Sequence, residues 1–271
     1  MTMKSLLGIS GAAALTLIIV VTANTMWISS PSDTTVPPAL DVPIDIDGAA
    51  GRLAEMIRIR TISNGVETPV EAEAFRDFRA YLQNTYPGVH EVLQREIIGQ
   101  HSLLYTWSGT DPARAPILLM AHMDVAPIEP GTLPDWTHPP FAGTIANGFI
   151  WGRGTLDMKV SIGGIMEAVA YLVAQDFTPT RTVYLAFSHD EELAGPNGTA
   201  SIVQTLDDRG IRLLFTIDEG MPVTQGVVPG VDRSVALIGL AEKGRVTLEI
   251  VAHGDGGHSS LPPVSTAVGR L

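Results

Sequence analysis

The sequence predicts an α/β fold, a mostly parallel sheet covered by helices, on three observations. Short apolar runs of strand length alternate with stretches whose apolar residues recur at helical spacing. This alternation persists from about residue 45 to residue 241. Polar clusters rich in carboxylates follow the strand-like runs. Strands separated by helices cannot pair as simple hairpins, so the helices must cross over and cover the sheet.

Taken in order, a helix can be capped near Asp45 to Asp47, with Leu53, Met56, Ile57 and Ile59 as its buried stripe. Ser102 to Trp107 and Pro116 to Ala121 are strand-length apolar runs. Gly143 to Trp151 places an Asn147-Gly148 pair between β-favouring residues, the signal of a tight hairpin. Lys159 to Gln175 reads as a helix with Ile162, Ile165, Met166, Val169 and Val173 on one face. Thr182 to Ser188 and Leu213 to Ile217 read as strands, with a helix from Gly198 to Arg209 between them. The character then shifts. Val235 to Leu240 and Arg245 to Ala252 look like strands with no helix between them, so a second domain is expected over 242–271. Its first helix would follow Pro262-Pro263 and run through Thr266, Ala267 and Leu271. Residue 271 falls inside that helix, so the sequence reads as the N-terminal part of a longer protein.

Composition bounds the chemistry. Net charge is −12, from 29 acidic against 17 basic residues, which disfavours nucleic acid because phosphates need a basic face. Solubility accounts for that balance; a site built from carboxylates for a divalent cation is the sharper reading. There is no cysteine, so disulfides, thiolate metal sites and cysteine nucleophiles are excluded. Any metal must be held by His, Asp and Glu.

The N-terminus has its own pattern. No charge appears between Lys4 and Asp33, and Leu6 to Ile28 is almost continuously apolar or small. As a helix at about 1.5 Å per residue, that run would span the roughly 30 Å hydrocarbon core of a bilayer. Segment 1–28 is therefore expected to be a membrane anchor with the body exported, since the positive charge precedes the run. A cleaved signal peptide, ending at the small residues Val21-Thr22-Ala23, is the alternative. The run continues through Trp27 and Ile28, which favours the anchor. Segment 29–44, rich in Ser, Thr and Pro, reads as a semi-extended spacer, and 45–241 as the catalytic body.

Four clusters then carry the chemistry: Ala121-His122-Met123-Asp124, Gly152-Arg153-Gly154-Thr155-Leu156-Asp157, His189-Asp190-Glu191-Glu192, and Ile217-Asp218-Glu219-Gly220. In an open α/β sheet, ligands bind at the carboxyl ends of strands. Any one cluster alone could be a helix cap or a solvated loop. Converging there, all four would repel one another unless a cation lay among them.

The motifs LLMAHMDVAP, GRGTLDMK, HDEELAG, IDEG and GHSSLPP, in this order, resemble the co-catalytic zinc metallopeptidases that include carboxypeptidase S, carboxypeptidase G, aminoacylase and acetylornithine deacetylase. The wording is most similar to the carboxypeptidase S branch, which also tends to carry an N-terminal anchor. The resemblance covers roughly Arg52 to Leu271. It implies a zinc exopeptidase-like catalytic domain followed by the start of an α+β lid domain that can pair two subunits as a homodimer. It implies two zinc ions, with His122 and Asp218 on one, Glu192 on the other and Asp157 bridging. A further histidine ligand would lie beyond residue 271. Asp124, two residues past His122 on the same strand face, would accept the other imidazole N–H and fix its tautomer.

The same resemblance makes Glu191 the general base and acid of amide hydrolysis, taking a proton from the attacking water and returning it to the leaving nitrogen. His258 would bind substrate and steady the tetrahedral oxyanion; an ordinary surface-loop histidine is the alternative. A cis peptide is implied after Asp157, and the glycines beside Arg153 suit a close backbone approach. The implied substrates are peptides or N-acyl amino acids. A small-molecule deacylase or dipeptidase on the same centre is one rival reading, and a tethered binding protein without catalysis is another.

Overall fold

The computed structural model describes residues 3–27, 42–65, 68, 71–241, 244, 246, 248–254, 258, 260 and 264–270. The chain divides into two compact units, Met1–Ile44 and Asp45–Leu271.

In the first unit, helix α1 covers Met3–Trp27, where the uncharged run was expected to be helical. The described side chains on it, residues 14–26, are exposed. Among the described residues no helix is long and apolar enough to cross a membrane. Residues 29–41 of the expected spacer, and Ile28 at the end of the expected anchor, lie outside the described residues.

The second unit begins with α2, Ile46–Arg58, whose N-terminus is capped by Asp45 accepting the Gly48 N–H at 3.0 Å. Two further helices, α3 (Ala72–Thr85) and α4 (Pro87–Val92), precede strands β1 (Gln94–Ile98), β2 (Ser102–Trp107) and β3 (Ile117–His122). A hairpin of β4 (Thr144–Ala146) and β5 (Phe149–Trp151) follows, turning through Asn147 and Gly148, both at positive φ. That is the two-residue turn which Asn-Gly favours. Helix α5 (Val160–Ala174), β6 (Val183–Ser188), α6 (Thr199–Asp208) and β7 (Phe215–Ile217) complete the order.

The main sheet runs β1-β2-β6-β3-β7. The expected parallel arrangement holds for β6, β3 and β7, where helices intervene in sequence; β1 and β2 add antiparallel ladders, so the sheet as a whole is mixed. Alternation along β2 divides the core. Leu103, Tyr105 and Trp107 face one side with Leu185 and Phe187, under Met56 and Ile57 of α2, Phe75, Phe78 and Leu82 of α3, and Ile162 and Met166 of α5. Leu104 faces the other side with Leu118, Tyr184 and Ala186, under Ile202 and Leu206 of α6. Full burial of a Leu- or Phe-sized side chain contributes about 1.5–3 kcal/mol, so helices on both faces hold the sheet rigid beneath its carboxyl edge.

The expected strands after residue 234 do not form among the described residues. Val235 makes only an isolated bridge with Thr224, and Ile238 and Leu240 are 82% and 94% exposed. A β-favouring run is held as a strand only by a neighbour to pair with, and the described residues provide none. Of the expected terminal helix, a short 3₁₀ turn at Val268–Arg270 is described.

Candidate metal centre

Parallel register aligns the functional ends of three strands. His122, the last residue of β3, pairs with Ser188, the last residue of β6, and β7 joins β3 on its other side. The residues just beyond these ends therefore leave the same edge of the sheet, the edge at which α/β folds bind ligands.

His122 is 1% exposed, and its two ring nitrogens face different partners. Nδ1 lies 2.9 Å from the backbone carbonyl oxygen of Asp124. A carbonyl only accepts, so Nδ1 carries the proton there. Asp124 thus fixes the tautomer mainly through its main chain, where the side chain was expected to do so, with its carboxylate at 3.4 Å. Nε2 points outward, 2.9 Å from Asp157 Oδ1 and 3.8 Å from Glu191 Oε2. Burial alone would pull the imidazole down; the hydrogen bonds and charge of Asp124, with Glu191 beyond, outweigh it and raise the pKa to about 9.

The Asp124 carboxylate, fully buried, is the organiser of the site. It accepts the Ser63 hydroxyl at 2.7 Å, the Glu191 N–H at 3.1 Å and the Glu192 N–H at 3.2 Å. One carboxylate therefore sets the backbone under both glutamates as well as the imidazole. Ser63 reaches it because the chain after α2 runs beside β3's extension, with a bridge between Ile62 and Val125. Nothing local in the sequence marks Ser63; only the fold brings it there.

Asp157 sits in a tight turn, Thr155–Lys159, entered through Gly154 at φ +79° and followed by a cis Asp157–Met158 peptide. A Cβ at Gly154 would lie 2.3 Å from Val125 Cγ1, so this position is closed to a side chain by Val125. Lys159 anchors the turn from beneath. Fully buried, its Nζ donates to the carbonyls of Met56 and Ile59 at 3.0 and 2.7 Å and lies 5.1 Å from the Phe78 ring centroid. Burial pulls its pKa down to about 7, against the pull of Asp124.

Among the described residues one group of three metal-type donors comes together: His122, Asp157 and Glu219, with one donor atom from each lying within 4.8 Å of the others. Glu219 was not singled out by the sequence reasoning. Its neighbour Asp218 was, and Asp218 lines a cavity of about 170 Å³ with His122 and Glu191. The Asp218 carboxylate accepts the Glu219 N–H at 2.9 Å. Glu192, the expected ligand of a second ion, accepts the Ala126 N–H at 2.9 Å. His258 is exposed, and its Nδ1 faces Ser260; no contact described for it reaches these residues. His189 and Asp190 are buried for structural ends: His189 pairs with Ser102 at 2.6 Å, and Asp190 accepts the backbone N–H groups of Asn197, Gly198 and Thr199 at the start of α6.

The electrostatics fit a cation. Burial pushes the carboxyls of Glu191, Glu192 and Glu219 up, His122 pulls each back, and Asp157 pushes all three further up. A positive ion among them offsets that repulsion. Imidazole nitrogen with carboxylate oxygens is a donor set that zinc accepts while keeping a position open for water.

Known proteins resemble this chain. Residues 118–268 match the profile of peptidase family M20/M25/M40. The chain is 42% identical over 226 residues to a probable carboxypeptidase S-like protein of Dictyostelium discoideum, covering 82% of this chain and 43% of that protein. It is 40% identical over 217 residues to an N-fatty-acyl-amino acid synthase/hydrolase of Xenopus tropicalis, covering 79% of this chain and 42% of that protein. The chain thus spans well under half the length of either relative. Its fold matches an M20 family metallo-carboxypeptidase from Sulfolobus solfataricus with a TM-score of 0.51, at 21% identity, over 65% of this chain and 38% of that one. The matched segment contains all the donors described above, and the chain belongs to peptidase family M20/M25/M40.

Proposed function

We propose that this protein is a zinc-dependent hydrolase of amide bonds, acting on peptides or N-acyl amino acids. The observation that carries the reading is the division of labour around His122. His122, Asp157 and Glu219 offer donors to one point, while the Glu191 carboxylate stands 3.8 Å from the same imidazole and outside that group. When bound, zinc would polarise the amide carbonyl and make water a stronger nucleophile. Glu191 is the base that takes the proton from water and the acid that returns it to the leaving nitrogen. Its carboxyl is raised from the ordinary range by burial, with His122 opposing and neighbouring carboxylates adding, in the direction that suits an acid–base group near neutrality. A second zinc would use Glu192 with Asp157 shared between the ions. The names of the two relatives support the substrate classes.

The test is turnover of a panel of peptides and N-acyl amino acids by the full-length protein with zinc added. Zinc-dependent release of the free amino acid is the expected result, and no turnover of any member with zinc bound would overturn the reading.

The same proposal extends to location and assembly. The uncharged run from Leu6 to Ile28 supports an N-terminal anchor with the catalytic unit exported, and the segment from residue 242 supports a lid through which two copies pair. His258 on that segment would steady the oxyanion. Expressed with its native N-terminus, the protein is expected to sediment with membranes and to stay there in high salt, because apolar insertion is not screened by ions. A soluble exported form beginning at Asn24 would instead establish a cleaved signal peptide.

A further inference from the structure

In a chain of 29 acidic and 17 basic residues, arginines gathered without an acid are out of place. Arg52, Arg58, Arg114, Arg209 and Arg212 each form an ion pair with a carboxylate. Three arginines around α3 do not. Arg76 and Arg79 lie three residues apart on that helix and so share a face of it. Arg95 of β1 stands opposite fully buried Tyr105 of β2 and therefore points to the α3 side of the sheet. Its Nη2 donates to Gln83 Oε1, one turn of α3 beyond Arg79, at 3.0 Å.

Glu73 and Asp77 lie on the same helix, yet none of the three guanidiniums forms an ion pair among the described residues. Arg79 is half-buried against the turn between β1 and β2. Its Nη1 reaches His101 Nδ1 and the His101 carbonyl oxygen, both only at 3.4 Å. The His101 ring is itself held, stacked on Phe75 with centroids 5.4 Å apart. Arg76 is exposed, with its donors free for a ligand among the described residues. Arg95 Nη1 is buried with no hydrogen-bond partner, so Arg95 adds charge from beneath rather than a donor at the surface. The crowding is felt. Burial pushes the Arg79 guanidinium down from its ordinary value, and Arg95 and Arg76 push it further the same way. His101 is pushed down by burial and then by His189, Arg79 and Arg76, so it stays neutral and leaves that repulsion unanswered.

We propose that Arg76 and Arg79, backed by the charge of Arg95, bind the phosphate of a phosphomonoester, outside the group of metal donors. Guanidinium groups present paired N–H donors that match phosphate oxygens. A phosphomonoester carries close to two negative charges at neutral pH, so it offsets the repulsion of three like charges more fully than a carboxylate does. The site needs no part of the hydrolase reading.

The test reads binding to the 271-residue chain with a chelator present, so that no zinc offers phosphate another site. Phenyl phosphate at about pH 8, above its second pKa of roughly 6, is expected to bind saturably and to raise the unfolding midpoint more than chloride at equal ionic strength. Phenyl methyl phosphate, with one charge removed, is expected to bind more weakly. Arg76→Gln and Arg79→Gln should each weaken phenyl phosphate about tenfold or more, the scale of one charged hydrogen bond. Arg79→Lys should keep part of the affinity, since a point charge replaces a two-pronged donor. Arg212→Gln, which removes an exposed arginine paired with Asp207, should change nothing. Phosphatidylcholine vesicles containing phosphatidic acid separate the two sources of such a group. Retention of wild type above Arg79→Gln, whose N-terminal run is the same, identifies a lipid headgroup; equal retention, with phenyl phosphate bound, identifies a soluble ester. Absence of saturable phenyl phosphate binding, or binding unchanged in both glutamine variants, overturns the proposal. If Arg79→Gln fails to fold, Arg76→Gln on the open face of α3 decides.

Discussion

Glu191→Gln is expected to leave bound zinc unchanged while lowering turnover at least about 10²-fold, the usual contribution of a general acid–base group. Three features separate Glu191 from a ligand. Its carboxylate lies outside the three-donor group, its main-chain N–H is tied to buried Asp124, and its side chain remains 49% exposed toward the cavity. The amide of glutamine keeps the shape and removes the titrating oxygen, so the loss should appear in kcat more than in KM. Metal content measured on the same preparation decides between roles. Zinc lost from Glu191→Gln would make Glu191 a ligand and leave the reaction without its base.

Glu219→Gln is expected to weaken zinc binding at least about 100-fold, beyond the 10–100-fold typical of groups that only orient a ligand. Asp218→Asn should stay within that smaller range, because the Asp218 carboxylate accepts the Glu219 N–H and so orients its neighbour. Competition with a chelator in the 271-residue chain measures both. The sequence motif alone favoured Asp218, and a reversed order of effects would restore it. The local charge balance adds a second signature. Glu219 is pushed up by burial, with His122 opposing and Asp157, Glu191 and Asp218 adding. Zinc binding through its carboxylate should therefore release a proton when pH is near the raised value, in addition to the proton that His122 must lose, and Glu219→Gln should remove only that additional release.

Much of this was legible because the informative residues are consecutive. His122 and Asp124 end one strand-like run, Glu191 and Glu192 follow another, and Asp157 follows a glycine-bracketed turn. Alternation and helical spacing are local properties, and they placed β2, β3, β6, α5 and α6 nearly to the residue. Helix α3 carries the same signal at Phe75, Phe78 and Leu82. Strand β1 shows almost none, since its residues are half-exposed and owe their conformation to antiparallel pairing with β2.

By itself, the sequence determined that this chain is an α/β protein with a carboxylate-rich centre at the ends of parallel strands. Hydrophobic periodicity dictates which faces are buried, and the polar residues that break it have nowhere else to go. Tertiary structure alone decided which of two adjacent acids, Asp218 or Glu219, meets His122, because beyond a strand's last hydrogen bond the two-residue alternation no longer governs where a side chain points. It alone brought Ser63 to Asp124 and set Lys159 beneath the Asp157 turn, since both contacts join segments far apart in the chain. It also left the strand-like run after residue 234 without a ladder among the described residues beyond the single Val235–Thr224 bridge, because a strand's free energy resides in its partner rather than in its own composition.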